Sequence, residues 1–100
     1  MTWTVVLLPE AEAELWEAAA WYEQQNPQAA KRFNDAFETA VARLTDNPFQ
    51  YQSVDGDIRR APLARFPHGL LYRVTSGTVV VASCFHGRRD PEQWRNRLTP

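Results

Sequence analysis

The residues best suited to chemistry lie late in the chain. There "VVVASCFHGRRDPEQW" (residues 79–94) sets a histidine, two arginines and a tryptophan directly after a greasy run. An imidazole with an ordinary pKa near 6.5 exchanges protons at neutral pH, so His86 is the residue placed to act as a general acid or base. Cations for a crowded phosphate are available from Arg59, Arg60, Arg65, Arg73, Arg88 and Arg89. Acid–base chemistry at a phosphate ester needs a proton acceptor, cations around the phosphate and a donor for the leaving oxygen. On that chemistry Arg65, His86 and Arg88 are the candidate catalytic residues. The other reading is recognition without catalysis. Arginine and tryptophan are the commonest anchors of binding surfaces, and Arg59, Arg60, Arg65, His86, Arg88, Arg89 and Trp94 then form a target-binding set. Trp94 is equally suited to closing the core under a terminal turn. Arg88 is equally suited to an exposed ion pair with Asp90 or Glu92. His68, in Pro-His-Gly, reads as a solvated loop residue.

The charge distribution points the same way. The net charge is −1, but residues 1–50 carry −5 and residues 51–100 carry +4, with eight arginines in the second half. Such a split suggests an acidic face and a basic face able to meet nucleic acid or an acidic partner. The ten arginines against a single lysine, Lys31, fit either a GC-rich genome or a surface that binds phosphate and carboxylate bidentately. Cys84 is the only cysteine, which excludes an internal disulfide. Neither His68 nor His86 has a partner at metal-ligand spacing, so neither a metal nor another cofactor is expected. Cys84 itself reads as a small buried hydrophobe. The first apolar run, Val5 to Leu8, is too short for a signal peptide or a membrane span. A cytoplasmic setting with no membrane contact is expected.

Positioning these residues falls to one domain, residues 1–100, since a chain of this length has room for one core. "WTVVLL" (3–8) reads as a strand that Pro9 stops. From Ala11 to Gln25 the pattern is helical, with Ala11, Leu15, Ala18 and Tyr22 on one face and glutamates near its positive end. Asn26 caps a second helix with Pro27 in its first turn. Its apolar stripe runs Ala29, Phe33, Phe37, Ala40, Val41 and Leu44, and Asn47-Pro48 ends it. So short a break predicts an antiparallel helical hairpin. Residues 49–57 read as a loop. Strands follow at 57–66, 68–74 and 78–85, the first weakened by Pro62 and the last two joined by Thr75-Ser76-Gly77. Phe85 and His86 must face opposite sides of their sheet. Asp90-Pro91 opens a short helical turn. The fold class is therefore α+β: an N-terminal strand, an antiparallel two-helix hairpin, then a three-stranded antiparallel sheet and a short C-terminal helical turn.

In that order and spacing the chain resembles the RelE/ParE superfamily of small toxins from type II toxin–antitoxin modules. The residues that carry the likeness are Asn26-Pro27 with Ala29-Ala30 and Phe33, Leu44 with Pro48, Arg59-Arg60 and Leu63, Phe66-Pro67, Tyr72-Arg73, and His86-Gly87-Arg88-Arg89 with Pro91 and Trp94. The terminal His-Gly-Arg-Arg leans toward the ParE side. The resemblance implies a growth inhibitor held silent by a cognate antitoxin in a hetero-oligomer, acting on DNA gyrase or, as RelE-like members do, on ribosome-bound mRNA. Ribonucleases of the family generally keep a tyrosine or a lysine-rich cluster near the basic face. This chain has no tyrosine after Tyr72, which favours gyrase. Trp16 and Trp21, five residues apart on the first helix, cannot both face the core, so they are the candidate antitoxin contacts.

Overall fold

The structure, a computed structural model, describes residues 2–87 and 97–98. The expected terminal turn, with Arg88, Arg89, Trp94 and Arg95, lies outside the described residues. Strand β1 (Thr4–Leu7) leads into α1 (Pro9–Gln25) and α2 (Pro27–Asp46), followed by β2 (Ser53–Asp55), β3 (Ile58–Pro62), β4 (His68–Thr75) and β5 (Thr78–His86). Asn26 alone separates the helices, and its Oδ1 accepts the Gln28 N–H at 2.9 Å. That bond satisfies an amide that has no partner within the helix.

The antiparallel unit β3–β4–β5 matches the sequence reading, but the sheet is wider than expected. It has five strands in the order β1-β5-β4-β3-β2, with β1 parallel to β5. Pairing of β1 with β5 joins residues more than 70 apart, and nothing local in the sequence signals it. β2 was read as loop. It pairs with β3 across a turn at Gly56, whose φ of 57° suits glycine. The expected strand at 57–66 stops at Pro62. Beyond it Leu63 N–H bonds the His68 carbonyl, and Arg65 adopts a left-handed φ of 71° in the connection.

The helices cover one face of the sheet. Phe33 and Leu44 of α2 and Ala11 of α1 pack on Leu70, Tyr72, Val79, Val81 and Cys84, all buried. Burying a Phe or Leu side chain contributes about 2–3 kcal/mol, so this face supplies most of the driving force. On the opposite face Ile58, Leu71 and Phe85 form a second cluster with Leu98 packed against it. A bulge near Leu71/Tyr72 leaves Ala82 without a cross-strand partner: Tyr72 pairs with Val81 and Leu71 with Ser83. Among the described residues no helix is long and apolar enough to cross a membrane.

Candidate functional site

Arg59 and Arg60 follow one another in β3, so the pleat sends them to opposite faces. Arg59 lies on the helix side, where Nη1 donates to the Tyr51 carbonyl and the guanidinium sits 5.3 Å from the Phe49 ring centroid. The loop carrying Phe49 and Tyr51 is tied down in turn by the Tyr72 hydroxyl, which donates to the Pro48 carbonyl. Tyr72 is fully buried, and burial raises its phenol to about 12. It is a core residue with a structural hydrogen bond.

Arg60 lies on the open face, its guanidinium 5.9 Å from the Phe85 ring centroid. The side chain reaches over Gly69 of β4, the register partner of Pro62, and a Cβ there would stand 2.6–2.8 Å from the Nε, Cζ and Nη2 of Arg60. Glycine thus leaves the space in which this guanidinium lies flat. Its Nε is buried and has no hydrogen-bond partner.

The remaining arginines do not join these two. Arg65 sits at the exposed tip of the β3–β4 connection and shares a cleft with Arg32, Asp35, Phe66 and Pro67. Arg73 pairs with Asp57 at 2.8 Å and donates to the Leu98 carbonyl at 2.8 Å. The Arg73 bond holds the Asp57 carboxyl below its ordinary value. Arg97 pairs with Glu14 at 2.8 Å and donates to the Ala82 carbonyl at 3.1 Å. Among the described residues the arginines are therefore spread over both faces and an edge, two of them in internal pairs, rather than gathered on one cationic rim.

His86, half of the acid/base question, stands at the exposed end of β5. It faces the helix side and Phe85 the other, as strand alternation requires. Its ring meets that of His68 edge-on at 5.3 Å, because the two are register partners across β4–β5. His68 is not the solvated loop residue expected from Pro-His-Gly. It is 8% exposed and ringed by Tyr22 and Phe33, with its Nδ1 unpartnered. The sequence missed this because only the pairing of β4 with β5 brings residue 68 under the helices. Burial first, then the neighbouring His86, lowers the pKa of His68.

Both histidines line a cleft of about 430 Å³ between α1 and the end of β5, with Glu14, Glu17, Trp21 and Tyr22 among its walls. The cleft exists because β1 ends at Leu7, leaving the edge of β5 beyond Val81 without a strand neighbour. Glu14 fills that role: its Oε1 accepts from the Ser83 hydroxyl at 2.9 Å and from the Cys84 N–H at 3.4 Å. Cys84 is a buried thiol, its pKa pushed up to about 12 by burial and then by the Glu14 charge, so it stays protonated and unreactive. Trp16 and Trp21 are 68% and 57% exposed. Trp16 borders a separate groove between the helices, lined by Leu15, Ala19, Asn34, Phe37 and Glu38, while Trp21 borders the histidine cleft. Neither indole is in the core.

Compared with known proteins, this chain matches the family model described as the ParE toxin of the type II toxin–antitoxin system parDE, over residues 5–91. The chain belongs to the ParE toxin family. Solved structures agree on the fold. One from the chromosomal ParDE system of P. aeruginosa superposes with a TM-score of 0.74 at 18% identity, covering 87% of this chain and 98% of that one. The RelBE2 toxin–antitoxin complex of Mycobacterium tuberculosis gives 0.60 at 21% identity, covering 86% and 99%. The YoeB dimer of Staphylococcus aureus gives 0.58 at 18% identity, covering 88% and 100%. No curated protein matches by sequence. The chain is thus a toxin-family member of the type II toxin–antitoxin class.

Proposed function

We propose that this ParE-family toxin acts by binding DNA gyrase, without catalysis of its own, and that a cognate antitoxin silences it by covering its surface. The observation that carries this reading is the match to ParE over nearly the whole chain. The site geometry supports it. An RNA-cutting site needs cations free to meet the phosphate beside its acid/base, yet His86 shares its cleft with Glu17, whose charge repels a phosphate, and with Glu14, which already engages the Arg97 guanidinium. Arg65, the second residue of the ribonuclease set, lines a different cleft. Binding makes no such demand. Arg60, held beside Phe85 and over the Gly69 backbone, offers a preset planar donor on the open face, while Arg88, Arg89 and Trp94, expected from the sequence to share the target contact, lie outside the described residues.

For the antitoxin, one similar structure belongs to a ParDE toxin–antitoxin system and another is a RelBE2 toxin–antitoxin complex. The two exposed indoles on α1 offer contacts for such a partner, since tryptophan buries a large area with little entropy loss. Expression with and without the protein encoded next to it tests neutralisation. Purified toxin in a gyrase supercoiling assay, beside a ribosome-bound mRNA cleavage assay, tests the target. Inhibited supercoiling with intact mRNA is expected, and His86→Ala should leave the inhibition within a few-fold. Codon-positioned mRNA cuts that fall about 10²-fold or more in His86→Ala would establish the ribonuclease reading instead.

A further inference from the structure

The cleft between α1 and the free end of β5 has a chemistry the gyrase reading does not use. Its walls combine carboxylates with aromatic faces: Glu14 and Glu17 with Trp21 and Tyr22. Helix α1 as a whole carries five glutamates and no basic residue. Glu17 is exposed and has no ion-pair partner among the described residues. The Trp21 indole is 57% exposed, set edge-on to Tyr22 at 5.0 Å. On the floor lies His68, more than nine-tenths buried, with an unpartnered ring nitrogen. Its lowered pKa leaves it a neutral imidazole with a lone pair to offer. A side chain that is cationic, planar and rich in N–H donors satisfies all three features.

The molecule already holds one such group at the mouth of this cleft. Arg97 reaches Glu14 at 2.8 Å and the Ala82 carbonyl at 3.1 Å, so the edge of β5 and the first carboxylate together accept a guanidinium. Among the described residues Glu17, one helical turn along α1, and Trp21, another turn on, have no equivalent guest.

We propose that the α1–β5 cleft is a receptor for an arginine side chain of a partner polypeptide, which pairs with Glu17 and stacks on Trp21 beside the intramolecular Arg97–Glu14 pair. An exposed ion pair and a cation–π contact each strengthen binding about two- to five-fold. The arginine thus acts as one anchor within a larger interface, and the cleft selects for a basic contact where the arginine-bearing half of the toxin selects for acidic ones. The cognate antitoxin is the natural source of that arginine, a choice that rests on the reading above. The cleft chemistry itself does not.

The test follows the indole N–H resonances of the ¹⁵N-labelled full chain during titration with N-acetyl-arginine amide, with N-acetyl-citrulline amide as the uncharged isostere. The Trp21 resonance should shift with a saturable response in the range of about 30–200 mM, and Trp16 and Trp3 should stay still. Citrulline should give no saturable shift, and Glu17→Gln should weaken the arginine response about five-fold. Equal shifts from both amides, an unmoved Trp21, or an unchanged Glu17→Gln response would overturn the proposal. A second arm measures the antitoxin. Glu17→Gln/Trp21→Ala toxin, altered only at exposed positions, should bind it about five- to thirty-fold more weakly. Wild-type affinity in that variant overturns the arginine receptor as an antitoxin contact and leaves neutralisation intact. Absence of any antitoxin binding by the unaltered toxin strikes the neutralisation reading, while the amide titration still decides the cleft.

Discussion

Replacing Tyr72 with phenylalanine removes one oxygen from the centre of the molecule and leaves the ring in place. The lost hydroxyl donates to the Pro48 carbonyl, and both residues are buried. The buried carbonyl loses its side-chain donor, so the substitution costs the desolvation penalty of an unmet acceptor, about 1–3 kcal/mol. In a domain of this size each kcal/mol lowers Tm by about 4–8 °C, so a fall of about 10 °C is expected in thermal unfolding at pH 7. A second readout separates this bond from general loosening. The buried phenol has its pKa raised from 10.0 to about 12. The folded state therefore holds the proton more tightly than the unfolded chain. That contribution is fully present below pH 10 and is lost as pH rises toward 12. Tyr72→Phe should lack that alkaline decline and lie nearer the wild-type curve at pH 11 than at pH 7. The effect also reaches the site, because the loop held by Pro48 presents Phe49 and the Tyr51 carbonyl to Arg59. A Tm within 2 °C of wild type at pH 7, or an unaltered alkaline decline, would refute the reasoning.

Two more outcomes follow from the same geometry. The lowered pKa of His68 means that stability is present above pH 6.5 and is lost as pH falls through the folded-state value. His68→Phe should therefore flatten the acid side of a Tm–pH profile between pH 7 and 5, and a profile parallel to wild type would contradict it. Gly69→Ala pushes the Arg60 guanidinium off Phe85, while replacing a strand glycine recovers about 0.5–1 kcal/mol of backbone entropy. Its Tm should stay close to wild type while gyrase inhibition falls as far as it does in Arg60→Ala. Full inhibition by Gly69→Ala with none by Arg60→Ala would refute the placement of that guanidinium.

Much of the architecture was legible where the determinants are local. Asn26-Pro27 and the stripe from Ala29 to Leu44 specify α2 because a cap, a first-turn proline and a 3.6-residue period all act within one helix. The β4–β5 hairpin was readable for the same reason. The edges of the sheet were less so. β1 was readable as a strand at 3–8 but its parallel pairing with β5 was not, since that joins residues more than 70 apart, and β2 is three residues long, although Asp55-Gly56 between Val54 and Ile58 is a hairpin signal that could have revealed it. The site was harder to read. Sequence gave residue types suited to binding, and alternation alone separated Phe85 from His86. It did not separate the arginines into free and paired, because Asp57 and Glu14 meet Arg73 and Arg97 only through tertiary contacts. Nor did it show His68 under an aromatic roof, since that depends on strand register.

The unpartnered Ala82 in β5 sets the phase of everything after it. Ahead of it Val79 and Val81 point toward the helices; behind it that direction passes to Cys84 and His86, and Phe85 turns away. Removing this one residue would exchange the two sides, carrying the imidazole out of its cleft and driving the phenyl ring into the acidic groove. For relatives of this toxin, gain or loss of a single codon here would re-aim the strand's end in one step, a larger change of surface than any point substitution nearby.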